Sequence, residues 1–323
     1  MQNNYKWLAV VNPTSAAGRT LSKWKKISHY LEQVGVKFDE TKSEYVGHAI
    51  DIVKNEIDNY DGILAVGGDG TVNEVINGIL SSSPEKLLAI LPTGTGNDLA
   101  NTFQLHLDLT LACKTIISGK PRKIDVGMVQ GKDFNKKTIK RFFGGVASFG
   151  FDADVAYDTN ASTKILPGTW NYLRSVFKNW IRLTPKIFQL TYSNSNISDK
   201  RTIEQKQLLC AIGNGKFYGG GMMICPDALV TDNMLDITLI DPVKRIEFLK
   251  VFPSVYSGTH KNHPAVHLSK ANQIFVSSKV KIRYQVDGEV LGYTPVKLSS
   301  TPSVLQVLAP QNLPDYHLKG NKN

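Results

Sequence analysis

The sequence has no run of about 18 apolar residues, so hydropathy indicates no transmembrane helix. Its three cysteines, Cys113, Cys210 and Cys225, are odd in number and widely spaced. This spacing argues against a disulfide framework or a zinc knuckle and predicts buried, reduced thiols. The first residues also lack the apolar core of a secretion signal. Together these absences predict a cytoplasmic protein.

Several familiar nucleotide-binding motifs are missing as well. There is no G-x-x-x-x-G-K-[ST] loop, and neither Gly68-Asp69-Gly70 nor Gly94-Thr95-Gly96 completes a G-x-G-x-x-G pattern. Helix-turn-helix, aromatic RNA-binding and zinc-finger spacings are absent, so we expect no nucleic-acid partner. The net charge of +10 favours anionic partners but does not by itself choose among them.

The order of predicted elements divides the 323 residues into two domains. Strands and helices alternate over residues 1–120, which predicts a nucleotide-binding α/β domain with a parallel sheet. Short strands separated by turn signals follow over residues 121–303 and predict an antiparallel β-sandwich domain. A final strand at about 304–310 returns to the first domain, and residues 311–323 form a tail.

The central stretch is Gly67-Gly68-Asp69-Gly70-Thr71, which follows a short apolar run and precedes apolar residues at helical spacing. Thr71 and Glu74 have the spacing of a capping box, which predicts that the helix begins at Thr71. Closely spaced glycines let a backbone approach a phosphate, and a helix N-terminus supplies amide donors. Asp69 adds a carboxylate suited to a metal ion on that phosphate. We interpret the stretch as a phosphate-binding loop rather than a plain turn.

Further motifs accompany this loop along the chain. Asn12-Pro13 follows the first strand, Thr93-Gly94-Thr95-Gly96-Asn97-Asp98 follows a later one, and Tyr218-Gly219-Gly220-Gly221 and Asp287-Gly288-Glu289 lie in the second half. Together they resemble the diacylglycerol kinase catalytic domain of soluble bacterial lipid kinases and sphingosine kinases. That family is more distantly similar to NAD kinases. The resemblance runs almost from end to end of the chain.

The resemblance implies an ATP-dependent lipid kinase that uses Mg²⁺. Asp69 would act through magnesium on the phosphates, Glu289 would take the proton of the attacking hydroxyl, and Asp287 would support this catalytic step. Ser43 stands where relatives commonly have threonine. The residues that would hold ATP are Asn12, Pro13, Thr14, Ser15, Ala16, Ser43, Gly68, Asp69, Gly70, Thr71, Val72, Asn73, Glu74 and Thr95.

The resemblance also implies a structural magnesium site around Asp232. Its carboxylate and the backbone carbonyls of Leu229 and Met234 would be the metal ligands. Asn233 replaces the glycine usual there, and a simple Asx turn is the alternative. Asp98 and Asp125 are carboxylates at loop and strand ends, where relatives link such residues to a metal through water. For Asp98 a helix cap is the alternative.

Other interpretations of the same residues remain open. On local grounds alone, Asp287-Gly288 is the commonest signal of a type I′ hairpin turn. The basic cluster at 132–141 predicts a solvated hairpin tip, with a docking patch as the alternative. We expect the polar loop with His260 and His263 to be solvated rather than a metal site. The aromatic-rich segment from Thr169 to Leu183 predicts an amphipathic helix that packs on the core, with a lipid channel lining or contact with a membrane as the alternatives.

The sequence is therefore compatible with three functions. The favoured one is phosphorylation of a lipid hydroxyl, most simply that of diacylglycerol to give phosphatidic acid, by an enzyme that associates reversibly with the membrane surface. The alternatives are a NAD kinase and a non-catalytic nucleotide-binding regulator at a membrane surface. A sphingoid base, a polyprenol or phosphatidylglycerol would also offer a hydroxyl. The sequence leaves open the choice of lipid and the existence of a homodimer.

Overall fold

The computed structural model describes residues 4–161, 168–181, 184–194 and 200–312. The end of the predicted aromatic helix at Leu183 and most of the predicted tail, residues 313–323, lie outside the described residues. The chain forms two compact units. Unit 1 comprises Met1–Ile124 and Ser303–Asn323, and unit 2 comprises Asp125–Pro302.

Unit 1 alternates strands and helices, as its sequence predicts. Its elements are β1 (Lys6–Val11), α1 (Arg19–Gln33), β2 (Lys37–Lys42), α2 (His48–Glu56), β3 (Gly62–Gly67), α3 (Asp69–Ser82), β4 (Leu87–Pro92), α4 (Asp98–Thr102) and α5 (Leu109–Ser118). The strand order is β2–β1–β3–β4, with every pair parallel. The end of a long strand, β17 (Glu289–Ala309), pairs with β4 in parallel through Gln306 and Val307.

Burial explains why these segments form a central sheet. Every residue of β3 and β4 is buried, as expected of parallel strands covered on both faces. Helix α1 contributes Trp24, Ile27 and Leu31 at helical spacing to the core against them. Because all the strands run in one direction, the loops at their carboxyl ends gather along one edge of the sheet.

Unit 2 is dominated by antiparallel strands. Its elements are most of β5 (Lys120–Asp133), then β6 (Thr138–Phe143), β7 (Val146–Gly150), α6 (Phe151–Ala161), α7 (Gly168–Ile181), β8 (Lys186–Ser193), β9 (Arg201–Gln207), β10 (Leu209–Gly213), β11 (Phe217–Tyr218), β12 (Met222–Met223), β13 (Leu235–Ile240), α8 (Arg245–Val251), β14 (Val266–Ala271), β15 (Gln273–Ser277), β16 (Arg283–Val286) and the first part of β17. One row of strands runs β14–β13–β10–β7–β16–β17, and a second runs β9–β8–β15–β17.

These two rows confirm the predicted fold class of a parallel α/β part followed by an antiparallel β-sandwich. Between the rows lies a core that includes Phe149, Phe188 and Tyr284. Two details differ from the sequence prediction. The apolar run over residues 142–149 predicts a single strand, but the structure divides it between β6 and β7 at Gly144 and Gly145, and helix α6 was not predicted.

Two further expectations concern burial and membrane crossing. Cys113, Cys210 and Cys225 are all buried and free, which confirms the prediction of buried, reduced thiols. Burial raises the pKa of the Cys113 thiol to about 11. Across the described parts of the chain, no helix is both long enough and apolar enough to cross a membrane.

Candidate active site

Three loops meet at the carboxyl edge of the unit 1 sheet and are tied together by hydrogen bonds. The Nδ2 of Asn12, after β1, donates to the Thr71 hydroxyl at 3.0 Å. The backbone N–H groups of Thr93 and Gly94, after β4, both donate to the Gly67 carbonyl at 3.1 Å. The loops named by the sequence motifs therefore form one cradle at this edge, defined here by residues 12–18, 67–71 and 93–97.

The glycines of the cradle have two different roles. A Cβ placed on Gly94 would lie 2.4 Å from the Gly68 Cα, so a glycine is required at position 94, where the two backbones pack against each other. A Cβ on Gly70 would meet nothing within 4 Å, and Gly70 is exposed in the first turn of α3. Gly70 therefore leaves open space next to the N-terminus of α3, where a phosphate would bind.

The structure corrects the predicted start of α3. The helix begins at Asp69, not Thr71, and the predicted capping box is wrong. The Glu74 carboxylate instead accepts hydrogen bonds from the N–H groups of Gly47 at 2.9 Å and Ala49 at 3.2 Å. Glu74 thus satisfies the start of α2, because the side chain points across to that neighbouring helix. The first turn of α3 keeps backbone N–H groups that have no intrahelical acceptor.

Asp69 lies half-buried at this helix start. Its Oδ1 accepts a hydrogen bond from the Leu99 N–H at 2.8 Å, which joins the first turns of α3 and α4. Mg²⁺ prefers oxygen ligands and is usually held by one or two carboxylates together with substrate phosphates. Among the described residues no group of three His, Cys, Asp or Glu side chains could hold a metal. The Asp69 carboxylate supplies oxygen donors of the kind that Mg²⁺ prefers, and magnesium binding there stays a prediction.

The backbone of the cradle is strained at non-glycine positions. Ala16 and Ala17 have φ values of 52° and 57°, and Asn97 has a φ of 57°. A left-handed non-glycine residue costs on the order of 1–3 kcal/mol and is found preferentially at functional sites. The Oδ1 of Asn97 is also buried without a hydrogen-bond partner.

The remaining predicted ATP residues vary in exposure. Pro13, Ser15 and Ala16 are half-buried in the first loop, while Thr14 and Thr95 are exposed. Ser43, Val72 and Asn73 are buried. For all of these residues, contact with ATP stays a prediction.

Sequence reasoning missed two polar residues of α1 at the cradle. The Thr20 hydroxyl donates to the Thr93 hydroxyl at 3.0 Å, and the Lys23 ammonium lies 3.4 Å from the Thr93 carbonyl. Lys23 brings a positive charge to a place where the loops are suited to phosphate. The signal available in the sequence was spacing, since residues 20 and 23 share one face of the helix that follows the first loop.

In unit 2, Asp287-Gly288 forms the hairpin turn between β16 and β17. Both residues have positive φ values, 46° and 87°, as a type I′ turn requires. The Asp287 carboxylate accepts hydrogen bonds of 2.9–3.0 Å from three successive N–H groups, those of Gly144, Gly145 and Val146. Asp287 therefore holds the glycine break between β6 and β7 in place.

Glu289 begins β17 directly after this turn. Its Oε2 lies 2.6 Å from Nη2 of Arg141, a residue of β6. Its Oε1 makes no hydrogen bond within the described parts of the chain. One carboxylate oxygen is thus fixed by a guanidinium, and the other is available to accept a proton from a substrate hydroxyl.

Unit 2 also contains an apolar cavity. It holds about 600 Å³ of empty space, including its open mouth, beneath α8 and the segment that follows it. Its walls are mainly aliphatic and aromatic and include Phe151, Leu208, Ile240, Phe248, Phe252 and Val255.

One carboxylate lies in the wall of this cavity. Asp152 is buried and accepts hydrogen bonds from the hydroxyls of Ser148 and of Tyr218, the latter at 3.1 Å. Gln285 donates to Ser148 at 2.6 Å and accepts from the Gly288 N–H at 2.7 Å. A continuous network therefore connects the cavity wall to the Asp287-Gly288 turn. The sequence motifs named the turn and Tyr218, but not Ser148, Asp152 or Gln285, which link the turn to the cavity.

The predicted magnesium loop at Asp232 is an Asx turn. The Asp232 Oδ1 accepts a hydrogen bond from the Met234 N–H at 3.1 Å, and Asn233 has the left-handed φ of 57° that asparagine tolerates. The Asn233 N–H donates to the Asp125 carboxylate at 2.6 Å. Asp125 therefore fixes this loop.

A lysine ammonium lies where the cation of this loop would be expected. The Lys270 Nζ is 3.0 Å from Asp232 Oδ2, 3.2 Å from Asp236 Oδ2 and 3.2 Å from the Asp227 carbonyl. The ammonium donates hydrogen bonds to Asp232 Oδ2 and to the Asp227 carbonyl, whereas Asp236 lies only within ion-pair distance. A divalent cation bound by Leu229, Asp232 and Met234 would compete with this positive charge, so metal binding by these three residues stays a prediction.

The two histidines are also placed differently from the sequence expectation. His260 is buried rather than solvated, its Nε2 lies 3.2 Å from the Ile224 carbonyl, and burial lowers its pKa. His263 is half-buried and does have a carboxylate neighbour, since its Nε2 lies 3.4 Å from Glu247. The polar residues around the two histidines predicted a solvated loop. The segment instead packs against the rest of unit 2, which buries His260.

Comparison with known proteins assigns the family. Residues 6–129 match the family model of the diacylglycerol kinase catalytic domain, and residues 145–309 match that of the YegS C-terminal NAD kinase beta sandwich-like domain. The chain belongs to the diacylglycerol kinase catalytic-domain family.

Individual relatives are similar over nearly the whole chain. A diacylglycerol kinase of Staphylococcus saprophyticus is 28% identical over 94% of this chain and 95% of its own. One of Staphylococcus aureus is 26% identical over 97% of this chain and 95% of its own. The crystal structure of a diacylglycerol kinase from Bacillus anthracis covers 97% of this chain and 100% of its own with a TM-score of 0.72 and 20% identity, which supports the fold.

Proposed function

We propose that this protein is an ATP-dependent lipid kinase that transfers the γ-phosphoryl group of ATP to the hydroxyl of diacylglycerol, giving phosphatidic acid. The observation that carries the proposal is the apolar cavity of unit 2, whose wall is connected by hydrogen bonds to the Asp287-Gly288-Glu289 segment. An apolar cavity with a few polar groups at one place suits a molecule with acyl chains and one reacting hydroxyl.

Unit 1 would bind the nucleotide. The first-turn N–H groups of α3 and the open space at Gly70 would receive phosphate oxygens, and Lys23 would add positive charge. Asp69 would hold the magnesium ion that accompanies ATP. When bound, that ion neutralises the negative charge of the phosphates.

Unit 2 would bind and activate the lipid. Acyl carbon atoms would occupy the cavity, and the Asp152 network would accept or donate hydrogen bonds at its polar wall. The Glu289 Oε1 would accept the proton of the attacking hydroxyl while Arg141 holds Oε2. The hydroxyl oxygen would form a bond to the γ-phosphorus while the bond from that phosphorus to the ADP oxygen breaks. ADP would leave, and the proton from the hydroxyl would be held by Glu289.

A transfer assay with γ-labelled ATP tests this proposal. The acceptors are diacylglycerol, sphingosine, a polyprenol and phosphatidylglycerol, each in detergent micelles, with NAD as a soluble acceptor. We expect label in the lipid fraction with diacylglycerol and its loss in Asp69→Ala. Label in NAD alone would identify a NAD kinase and refute the proposal, and ATP binding without transfer to any acceptor would indicate a non-catalytic regulator.

A further inference from the structure

Helices α7 and α8 present a surface whose apolar residues face away from the core. Phe177 and Ile181 on α7 are 58% and 54% exposed, and Ile246 and Leu249 on α8 are 71% and 48% exposed. Each pair is spaced by four or three residues and so occupies one helix face. The opposite faces already pack inward through Val176 and Phe248. We call the four exposed residues and their basic neighbours the α7–α8 surface.

The two helices form one continuous surface. The Trp180 indole N–H of α7 donates to the Arg245 carbonyl at the start of α8 at 3.1 Å. The Trp180 ring also contacts that of Phe177, with centroids 5.2 Å apart. Four large apolar side chains therefore lie around one contact between helices, unlike scattered exposed residues, which need no explanation.

The charges around this apolar patch are positive and largely uncompensated. Arg174, Lys244, Arg245 and Lys250 are exposed, and none forms an ion pair with a described residue. Two acids lie nearby: Asp158 is 3.1 Å from Lys178, and Glu247 on α8, 3.4 Å from His263, offsets one of the positive charges, so the surface keeps a net positive charge. Apolar side chains ringed by lysine and arginine are typical of helices that lie in the interface of an anionic membrane.

We propose that the α7–α8 surface docks this protein onto anionic bilayers. Ile246, Leu249, Phe177 and Ile181 enter the boundary between headgroups and acyl chains, and the basic side chains contact anionic headgroups. The inner side of α8 contributes Phe248 and Val251 to the wall of the apolar cavity. Docking by this surface therefore brings the cavity next to the bilayer. The inference extends the proposed lipid kinase function, but vesicle binding can be measured without catalysis.

The test is co-sedimentation of the full chain with vesicles of phosphatidylglycerol and phosphatidylcholine, with pure phosphatidylcholine vesicles as the charge control. We expect Ile246→Ser/Leu249→Ser to weaken binding at least about tenfold, because two inserted aliphatic side chains are lost. We expect Arg245→Gln/Lys250→Gln to weaken it about fivefold per charge. The matched control is Ile187→Ser/Val280→Ser, which removes two equally exposed apolar residues elsewhere in unit 2 and should leave binding unchanged.

Two further measurements decide between outcomes. The β5–β6 hairpin is the competing basic surface, so Lys136→Gln/Lys137→Gln is tested in parallel. Loss of binding in that variant with normal binding by the α8 variants would overturn the proposal. So would a change of oligomeric state on light scattering in Ile246→Ser/Leu249→Ser with unchanged vesicle binding, because the surface would then join two copies of the chain. Kinase activity on micellar diacylglycerol separates the two proposals, since a docking variant should retain it.

Discussion

The Glu289 carboxylate lies 2.6 Å from the Arg141 guanidinium through one oxygen and leaves its second oxygen without a hydrogen bond in the described part of the chain. An ion pair that engages only one oxygen fixes the direction of the other. This arrangement suits a base that must accept a proton from a lipid hydroxyl in a defined position.

Glu289→Gln should lower kcat by about 10²–10⁴-fold, the usual contribution of a general base. The shape of the side chain is kept, so the melting temperature should change little. The matched control is Glu204→Gln, because Glu204 is also 44% exposed and paired with a basic residue, Lys279. Steady-state kinetics of both variants should show the loss only in Glu289→Gln, and full activity of that variant would refute the assignment.

Substitution of Gly70 should weaken ATP binding, whereas substitution of Gly94 should lower the stability of the protein. Gly70→Ala adds a methyl group in open space at the first turn of α3 and should raise KM for ATP about tenfold, roughly 1.4 kcal/mol, without loss of stability. Gly94→Ala would force a contact with Gly68 and should destabilise the protein by about 1–3 kcal/mol. Equal effects of both variants on urea denaturation would contradict the different roles assigned to the two glycines.

Because the Lys270 ammonium already contacts the Asp232 carboxylate, the stability of the Asp232 loop should not depend on a divalent metal ion. Chelation by EDTA should leave the melting temperature of the nucleotide-free protein unchanged, because the Lys270 ammonium already lies within ion-pair distance of both Asp232 and Asp236. Lys270→Met removes that charge, so magnesium or calcium should then raise the melting temperature by binding to the native state. A fall in the melting temperature of the unmodified protein on adding EDTA would show that a metal is held after all.

Asp236 should make stability depend on pH. Burial, the largest influence, raises its pKa from 3.8 to about 6, although Lys270 acts in the opposite direction. The native state therefore holds this proton more tightly than the unfolded state between these values, so stability falls as the pH rises from about 4 to about 7.

Asp236→Asn should remove this part of the pH dependence. Its stability relative to the unmodified protein should increase by about 2 kcal/mol over the same interval, as measured by urea denaturation at several pH values. A constant difference between the two proteins would contradict the raised pKa.

Local sequence patterns predicted most of the fold but fewer of the side-chain contacts. Parallel strands and their glycine loops were legible because burial and helical spacing repeat over short distances. The sequence predicted that Glu74 caps its own helix, α3. Its carboxylate instead accepts hydrogen bonds from the N–H groups of Gly47 and Ala49, about 25 residues earlier in the chain. The Asx turn at Asp232 was readable, but the cation that neutralises it comes from residue 270.

The cavity of unit 2 shows the same limit. Helix α6 was missed because its first turn carries Asp152, a buried carboxylate that interrupts the apolar pattern expected of a packed helix. Its burial is made possible by Ser148 and by Tyr218 and Gln285, which lie on other strands. Such a network follows from the packing of the sandwich and has no signature in adjacent residues.

The most direct test of the central claim is the rate of phosphoryl transfer from ATP to diacylglycerol, measured beside NAD with the purified full chain and magnesium. Mass spectrometry of the extracted product identifies what is formed. We expect phosphatidic acid from diacylglycerol, no phosphorylated NAD, and loss of product in Glu289→Gln. Formation of phosphorylated NAD without phosphatidic acid would contradict it.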